Sequence, residues 1–384
     1  MLFGTRAWRR YNRYIKAFIT LLISTVVVLW YIGMLDHLRE RPFAHFKWPP
    51  FVNVRYQVAL EEAGLQATRL YENDWAYIQP KTLPKCSGNS KELAQSKNFI
   101  LIIVKSSAQN LDHRNAIRST WGAINETMGY RIRTVFLVAM LDSEYQRKMG
   151  DVLSKEANYY GDLLIGDFLD AYRNNTLKAR PFIVQHVIAD SFLNQIVIYR
   201  IPCCNVFFSI FFQFLTAVQL AFTYCSHAQS IVPFAVLIDD DYFLSIENLI
   251  IEIRRHSSND HLYMGWRFDT RPFRLRFFKH ALSIAAYPYD RFPPYITAGA
   301  VLLSRRTIRQ FYYAIQHIRL FNFDDIYAGI VAHLMRITPQ HNSRMLFWGI
   351  DSPVEMSFND LICAHGFTPA RLHEAYRRLK LHKS

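Results

Sequence analysis

Three consecutive aspartates, Asp239, Asp240 and Asp241, are the residues of this 384-residue chain whose type and spacing most directly suggest chemistry. They follow the apolar run Ile231 to Ile238, which has the composition of a buried strand. Side chains alternate along a strand, so Asp239 and Asp241 would share one face and repel each other unless a cation lay between them. Hard divalent cations such as Mg²⁺ and Mn²⁺ take oxygen ligands and share them with phosphates, so the pattern predicts a metal-assisted diphosphate site.

The same triplet also has a purely structural interpretation. An acidic turn can precede a helix, and Ser245 is placed to cap the amphipathic stretch that begins at Ile246. The triplet alone leaves both interpretations open.

The elements around the triplet must position it and bring other polar groups to it. Phe99 to Val104 is a continuous apolar run typical of a buried parallel strand, and Arg133 to Met140 predicts another strand. Between them a helix is predicted from Arg114 to Gly122, with Arg114 and Arg118 on one face because they are four residues apart. This order matches the opening of an α/β nucleotide-binding layout, although a solvated helix with two arginines has the same spacing.

The N-terminal region predicts a membrane anchor. Residues 1–16 carry five basic side chains and no acidic one, and Ala17 to Leu35 is an uncharged apolar run of 19 residues, enough to span a hydrocarbon core of about 30 Å. Trp30 and Tyr31 favour an uncleaved signal-anchor over a cleaved signal peptide, and the other alternative is a buried core helix. The basic tail would stay in the cytosol, so the rest of a type II membrane protein would lie in the secretory lumen or outside the cell.

Composition divides the remaining chain into a stem and one large domain. Residues 36–97 contain five prolines and mixed charge, which predicts a stem that builds little core, and residues 98–384 are long enough for one globular domain. The net charge of +14 belongs partly to the cytosolic tail and is otherwise spread out, so no nucleic-acid partner is expected in that compartment. Five cysteines allow at most two disulfides, with the pairing open. Sequons at Asn125 and Asn174 predict N-glycosylation, although such triplets are common by chance.

Several ordered motifs in residues 98–384 resemble the β-1,3-hexosyltransferases of the Golgi, which include β-1,3-galactosyltransferases and β-1,3-N-acetylglucosaminyltransferases. The resemblance covers nearly the whole of that range and rests on motif order and spacing. The motifs are R-x-x-I-R-x-T-W from Arg114 to Trp121, Tyr160 to Leu164, Asp167-Phe168 with Asp170, Tyr172 and Asn175 to Lys178, the triplet with Tyr242-Phe243, Pro293 to Tyr295 with Gly299 and Ser304, Asp324 to Gly329, and Ala364-His365 ahead of Thr368-Pro369.

The resemblance implies a GT-A fold, which is an α/β, Rossmann-like mixed sheet, in a lumenal domain behind a single transmembrane helix of the Golgi membrane. It implies a UDP-sugar donor bound with Mn²⁺ and a glycan acceptor on a glycoprotein or glycolipid. Asp239, Asp241 and His365 are similar to the family's metal-site residues, with Asp241 as the direct ligand. His365 has an alternative role, as a core or capping residue beside a helix starting at Thr368 and Pro369.

Other site residues are implied by their match to the family's motifs. Those implied to bind the nucleotide sugar are Arg114, Arg118, Trp121, Asp170, Lys178 and Asp240. Those implied to line the donor and acceptor pocket are Tyr295, Gly299 and Asp324. Homo-oligomers, or hetero-oligomers with other glycosyltransferases, are also compatible with the family.

Asp325 corresponds to the catalytic base in the family's E-D-V element. An inverting transfer needs a base to take the proton of an acceptor hydroxyl as its oxygen attacks the anomeric carbon opposite the leaving UDP. The implied metal offsets the charge that grows on the diphosphate, so Asp325 need not be a strong nucleophile. Asp324 and Asp325 can equally stabilise the N-terminus of a helix over Ile326 to Leu334, and both roles are compatible.

Two departures from the family pattern bear on activity. The family's Y-C-S-G-G-G-Y stretch reads Y-I-T-A-G-A-V here, so two glycines become Ala298 and Ala300 and the last aromatic becomes Val301. Alanine does not adopt positive φ readily, which predicts altered specificity or a partly blocked pocket. Residues 184–213 form an atypical apolar insert, for which a retained intron, a buried helix or a second membrane span near Cys203 to Phe222 are the interpretations. These departures favour a catalytically inactive, lectin-like or chaperone-like relative, whereas the retained acidic and histidine motifs favour an enzyme.

Overall fold

The computed structural model describes residues 3–49, 51–67, 98–140, 143–169, 214, 217–222, 231–278, 280–321, 323–349 and 360–381. The chain divides into two compact units, one from residues 1–47 with 269–293 and the other from residues 48–268 with 294–384. Asp170, Asn174, Lys178 and the insert at 184–213 lie outside the described residues, so what was predicted for them stays a prediction.

The first unit begins with a long apolar helix, α1 (Phe3–Tyr31). Among the described residues, α1 is the one helix long and apolar enough to cross a membrane, over the 21 residues Tyr11–Tyr31. The helix ends four residues before the predicted end of the span at Leu35, because Gly33 turns the chain with a left-handed φ of 87° and a 3₁₀ helix, Met34–Arg39, follows.

The segment predicted to be a stem builds more core than its composition indicates. In the first unit, Arg41 pairs with Tyr289 in a parallel bridge. In the second unit, α2 (Val54–Glu62) buries Val54 and Val58, which are four residues apart and so share a face of the helix. Trp48 is also buried there and donates a hydrogen bond from Nε1 to a backbone carbonyl at 2.7 Å. Apolar side chains at helical spacing outweigh the prolines, so residues up to 62 are not an isolated tether.

A mixed sheet of eight strands lies at the centre of the second unit as far as the structure describes it. The spatial order is β2-β3-β1-β5-β8-β7-β9, with β4 also paired to β3. The strands are β1 Phe99–Ser106, β2 Glu126–Thr127, β3 Tyr130–Met140, β4 Leu163–Leu169, β5 Phe234–Asp239, β7 Tyr263–Phe268, β8 Tyr295–Ser304 and β9 Gln340–His341. A small sheet is formed by β6 Phe243–Leu244, β10 Met345–Gly349 and β11 Cys363–His365.

Helices follow many of these strands. They are α3 Leu111–Arg118, α4 Ser143–Tyr160, α5 Ile246–Ile253, α6 Arg305–Ala314, α7 Asp324–Met335 and α8 Pro369–Leu381. The Ser245 hydroxyl accepts a hydrogen bond from the Asn248 backbone amide at 3.4 Å, which confirms the predicted cap of α5. The helix predicted from Arg114 to Gly122 is shorter at its C-terminus, since α3 ends at Arg118 and a 3₁₀ turn begins at Trp121.

The sheet register explains where polar groups meet. β1 and β5 are parallel neighbours, and both apolar runs are buried. Their C-terminal ends therefore lie side by side, with Lys105 in register with Asp239. β8 runs antiparallel to β5 and pairs Ala300 with Ile238. Parallel β1, β3, β4 and β5 with antiparallel β8 give the mixed α/β sheet that the sequence predicts.

Candidate active site

Only the first aspartate of the acidic triplet continues the strand. β5 ends at Asp239, and Asp240 and Asp241 form the turn that follows, so the predicted alternation of strand side chains is wrong beyond Asp239. The Asp239 carboxylate accepts a hydrogen bond from Lys105 Nζ at 2.9 Å, whereas the Asp241 carboxylate lies 2.9 Å from His365 Nε2. Each of the two carboxylates is about one third exposed, so each has a protein partner and an open side.

Asp240 holds the turn in place. Its buried carboxylate accepts hydrogen bonds from the Ser106 hydroxyl at 2.6 Å and the Asn110 amide at 2.9 Å. Burial raises the pKa of Asp240, and these two hydrogen bonds oppose the increase. The side chain joins the triplet to the loop between β1 and α3 and so positions the turn, and the nucleotide contact implied by the family stays a prediction.

Arg114 is fully buried, and its donors are all bound within the protein. Nε and one Nη2 proton reach the carboxylate of Glu156, both at 2.8 Å. The other three N–H groups reach the Ser106 hydroxyl at 3.0 Å, the Ser107 carbonyl at 2.6 Å and the Ala108 carbonyl at 3.2 Å. An arginine has five N–H donors and all five are bound here, so Arg114 positions the β1–α3 loop, and its contact with a nucleotide stays a prediction.

Arg118 and Trp121 extend this support. Arg118 pairs with Glu156 at 2.7 Å and with Asp162 at 2.9 Å, and its guanidinium lies 3.8 Å from the centre of the Tyr160 ring. Trp121 is fully buried and donates from Nε1 to the Tyr242 carbonyl at 3.2 Å, just after the triplet. These contacts hold the acidic turn from inside the core, and a direct contact with a nucleotide stays a prediction for Arg118.

The residues predicted to bind a metal fit a hard divalent cation. Oδ1 of Asp241 is buried and has no hydrogen-bond partner in the part of the chain that the structure describes. Burial and the charge of Asp239 raise the pKa of Asp241, whereas His365 opposes the increase. Oxygen and imidazole ligands beside an unpaired carboxylate oxygen suit such a cation. The described residues do not gather three or more His, Cys, Asp or Glu side chains into one group that could hold a metal ion by itself.

His365 faces the acidic turn from β11. Its ring centre lies 5.2 Å from that of Tyr242. The helix that follows is α8, and the Thr368 hydroxyl accepts a hydrogen bond from the Arg371 backbone amide at 3.4 Å, so Thr368 supplies the cap. His365 is therefore beside Asp241 and is not the capping residue.

Asp324 and Asp325 begin α7, as predicted. The Asp325 carboxylate accepts a hydrogen bond from the Ile326 backbone amide at 2.7 Å, and the Asp324 carboxylate accepts one from the Asp325 amide at 3.0 Å. Burial and the adjacent charge of Asp324 raise the pKa of Asp325 to about 7. Asp325 thus stabilises a helix N-terminus and also has the proton affinity that suits a general base near neutral pH.

Lys105 connects the two acidic groups, and sequence reasoning missed it. Its Nζ lies 2.9 Å from Asp239 Oδ1 and 3.8 Å from Asp324 Oδ2, and the side chain is only 6% exposed. Burial lowers the pKa of Lys105, but the charges of Asp239 and Asp324 outweigh burial and raise it overall, so Lys105 stays cationic. The available signal was a lysine directly after the apolar run of β1, where parallel strands end together.

The altered glycine stretch is an ordinary part of β8, so the predicted difficulty with positive φ is wrong. Ala300 pairs with Ile238 in extended backbone, and Gly299 is not among the glycines with positive φ. Gly299 is needed for a different reason, because a Cβ there would overlap the hydroxyl oxygen of Tyr242. Tyr295 is buried at the start of the strand, with its ring centre 5.9 Å from that of Phe268.

An aromatic cluster lies on the strands beyond β8, and its residues were not singled out from the sequence. The ring centres of Trp266 and Trp348 are 4.4 Å apart, and those of Phe268 and Phe347 are 4.7 Å apart. Trp348 is 43% exposed. The cluster joins β7 to β10, which are some 80 residues apart in the chain, so local patterns give no sign of it.

Two other predictions concern surface chemistry and thiols. Asn125 is exposed in the loop before β2, and its glycosylation stays a prediction. Cys363 is buried without a disulfide bond, and burial raises the pKa of its thiol. The other four cysteines lie outside the described residues.

Comparison with known proteins places these motifs in context. A family model described as Galactosyltransferase matches residues 112–201 and 200–343, and the two matches meet within the atypical insert. A Caenorhabditis elegans protein named beta-1,3-galactosyltransferase bre-5 is 30% identical over 383 residues, which cover 99% of each chain. A Drosophila melanogaster protein named beta-1,3-galactosyltransferase brn is 28% identical over 352 residues, which cover 90% of each chain. Among solved structures, the galactosyltransferase LgtC matches with a TM-score of 0.31 and 11% identity, covering 73% of this chain and 95% of its own.

Proposed function

Because this chain belongs to the galactosyltransferase family, we propose that it is an inverting glycosyltransferase that moves a hexose from a UDP-sugar to a glycan hydroxyl. The hexose is galactose or an N-acetylhexosamine, and the product is a β-1,3 linkage on a glycoprotein or glycolipid chain. The family match and the two β-1,3-galactosyltransferase relatives support this assignment.

The observation that carries the proposal is the environment of Asp325. The carboxylate is at the start of α7, burial and Asp324 raise its pKa to about 7, and Lys105 links Asp324 to Asp239 of the acidic turn. A small cavity is lined by Lys105, Asp324 and Asp325 together with apolar side chains of β5 and β8. A base that titrates near neutral pH beside a diphosphate site is the arrangement that a glycosyl transfer needs.

Each charged group then has a role. Asp325 takes the proton of the acceptor hydroxyl as that oxygen attacks the anomeric carbon. Lys105 keeps the carboxylates of Asp239 and Asp324 close to each other without net repulsion. Asp239, Asp241 and His365 are the residues that would hold a divalent cation, for which we propose Mn²⁺. When bound, such a cation neutralises charge on the donor's diphosphate.

The aromatic cluster is a candidate platform for the acceptor. Trp266 follows Gly265, which pairs with Val301 of β8, and Val301 lines the cavity that contains Asp325. The partly exposed Trp348 packs against Trp266. Flat aromatic faces suit the apolar face of a sugar, so we propose this cluster as the acceptor platform.

The proposed location is the Golgi membrane. The helix α1 is compatible with a single-pass, type II anchor, and the basic residues before it would stay in the cytosol. The catalytic domain would then face the lumen, where glycan acceptors and UDP-sugars meet. Association with itself or with other glycosyltransferases is part of the same proposal and rests on the family alone.

The test is a radiolabelled transfer assay on the full-length protein in detergent. UDP-galactose, UDP-N-acetylglucosamine and UDP-N-acetylgalactosamine are each supplied with a panel of glycan acceptors, with Mn²⁺ or with a chelator. We expect turnover with one donor, loss of turnover on chelation, and loss in Asp241→Asn. The matched control is Asp151→Asn, because Asp151 is an exposed aspartate of α4 and should be silent.

Two results would overturn this proposal. Turnover that survives both chelation and Asp241→Asn would reject the metal site. Absence of turnover with every donor and acceptor pair, in protein that still binds glycans, would favour the inactive lectin-like or chaperone-like relative.

A further inference from the structure

An exposed aromatic cluster occupies the tip of the loop that follows β7 in the chain. Phe273, Phe277 and Phe278 are 57%, 69% and 47% exposed. The ring centres of Phe273 and Phe278 are 5.8 Å apart, and those of Phe277 and Phe278 are 4.7 Å apart, so the three rings form one patch. Contiguous apolar patches on a protein surface usually mark an interaction site, and nothing in the transfer chemistry uses this one.

The patch is attached to the C-terminal end of α1. The Arg276 backbone amide donates to the Ile32 carbonyl at 3.0 Å, and the Arg276 guanidinium lies 5.7 Å from the centre of the Trp30 ring. Gly33 has a φ of 87°, and a Cβ there would overlap the Arg274 carbonyl oxygen, so the two backbones touch. The aromatic patch, called here the Phe273–Phe278 patch, therefore lies at the level where the apolar helix ends.

Buried polar contacts hold the loop in this position. The Arg274 side chain is wholly buried. Its guanidinium donates to Glu40 at 2.7 Å, to the Leu282 carbonyl at 3.0 Å and to the Tyr289 carbonyl at 2.8 Å. Releasing the loop would break all three of these hydrogen bonds. The patch is thus a fixed surface of the first unit.

The composition of this surface fits a lipid headgroup region. Trp30 and Tyr31, at the end of α1, are both more than half exposed, and aromatic side chains are enriched at that depth of a membrane. Arg271 and Arg276 are exposed beside the phenylalanines, and Arg276 also lies 3.6 Å from the Asp36 carboxylate. Basic side chains near a bilayer surface are attracted to lipid phosphates. A protein partner would have to approach within the same layer that the anchor already occupies.

We infer that the Phe273–Phe278 patch inserts into the membrane leaflet at which α1 ends, with Arg271 and Arg276 on the phosphate groups. The inference rests on the proposed role of α1 as a membrane anchor. The occupant is the phospholipid of the anchoring membrane, and the surface is continuous with the end of the spanning helix. The patch then gives the first unit two attachments to the membrane, a spanning helix and an interfacial loop.

Photo-crosslinking of the full-length protein tests this inference. p-Benzoylphenylalanine replaces Phe277 in protein reconstituted into phosphatidylcholine and phosphatidylserine vesicles that contain tritiated phosphatidylcholine. The negative control carries the same probe in place of Tyr159, an 81% exposed aromatic residue of α4, and the positive control carries it in place of Trp30. We expect several-fold more lipid adduct at Phe277 than at Tyr159, and an amount close to that at Trp30.

The outcomes separate the patch from the anchor. Strong labelling at Trp30 with background labelling at Phe277 would overturn the patch and leave the anchor intact. Background labelling at both positions would overturn the anchor and the patch together. An adduct of Phe277 with a second copy of the chain, in place of lipid, would also overturn the inference. A probe at the exposed Phe278 repeats the test at a second position of the same patch.

Discussion

Two charged regions of the second unit lie next to each other and differ in how completely their polar atoms are paired. In the Arg114 network, every guanidinium donor has a partner, and hydrogen bonds from Arg114 and Arg118 outweigh burial and hold the pKa of Glu156 below its usual value. In the acidic site, which contains Asp241 and Asp324, one buried oxygen of each has no hydrogen-bond partner among the described residues. Burial is the main cause that raises the pKa of both carboxyl groups.

We interpret this difference as one between residues that hold the site and residues that we propose to act in it. A closed network has no capacity left for a ligand, and removing one member leaves an unpaired buried charge. An open set of carboxylates is held at a cost to stability and gains partners when a substrate or cation arrives. Both regions carry family motifs, so motif membership alone does not tell the two roles apart.

The largest expected effect is on activity, in the open region. Asp325→Asn keeps the shape and the acceptor oxygen toward Ile326 but removes the base, so kcat/KM should fall by about 10²–10⁴-fold. UDP binding by calorimetry should change little, and Asp151→Asn should keep full activity. Loss of less than tenfold would show that Asp325 is not the base and that this carboxylate belongs with the supporting residues.

The next effect is on stability, in the closed region. Arg114→Ala leaves Glu156 buried with one arginine fewer, so the free energy of unfolding should fall by about 3–5 kcal/mol, measured by denaturant unfolding of the full chain. Arg377→Ala removes an exposed arginine that also pairs with a glutamate, Glu374, and should leave the free energy of unfolding nearly unchanged. Equal losses in the two variants would remove the distinction between a closed network and a surface pair.

Gly299→Ala tests a contact between the acidic turn and β8. The new methyl group would overlap the Tyr242 hydroxyl and displace the residue after the triplet, so we expect a loss of about 1–3 kcal/mol in unfolding free energy and weaker UDP binding. In Gly150→Ala, no atom lies within 4 Å of the added Cβ on α4, and stability should rise by up to about 1 kcal/mol. Unchanged UDP binding in Gly299→Ala would argue that the acidic turn does not bind the UDP-sugar donor.

The pH dependence follows from Asp325 and the charged or titratable groups near it, Asp324, Lys105 and Tyr263. Only the ionised base accepts a proton, so kcat/KM should fall as pH drops below about 7, by about tenfold per unit. Because the pKa of Asp325 is higher in the folded protein than in the unfolded chain, Asp325 contributes stability that is fully present below about pH 4. This contribution is lost as pH rises through about 7. Asp325→Asn should therefore raise Tm at pH 8 and leave Tm at pH 4 nearly unchanged, and the reverse order would contradict the assigned pKa shift.

The smallest effect is a shift in the pH profile. Lys105 lowers the pKa of Asp325 through its charge, so in Lys105→Met the acid limb of kcat/KM should move to higher pH by about one unit or less. Lys155→Met, at an exposed lysine of α4, should leave the limb in place. A lower rate with an unmoved limb would mean that Lys105 supports the structure without tuning the base.

Much of the architecture was predictable because it depends on local patterns. The apolar runs of β1 and β5, the Ser245 cap and the helix start at Asp324 each follow from neighbouring residues. The predicted alternation of strand side chains was wrong at Asp240, because the three acidic side chains end the strand and the chain turns there. Asp240 then meets a buried polar partner, the Ser106 hydroxyl. The composition of residues 36–97 gave no sign of the core that α2 builds, because two valines at helical spacing bury themselves despite the prolines around them.

The sequence by itself determined the order of the motifs, the apolar N-terminal helix and the candidate carboxylates, because those depend on residue type and spacing along the chain. Only the tertiary structure decided which charges are satisfied. Lys105 lies between Asp239 and Asp324, from which it is separated by 134 and 219 residues. Arg114 has the basic character of a ligand-binding residue but meets Glu156 and three backbone or hydroxyl oxygens in the core. Pairing of buried charges depends on distance in space and on exclusion of water, neither of which is written in local sequence.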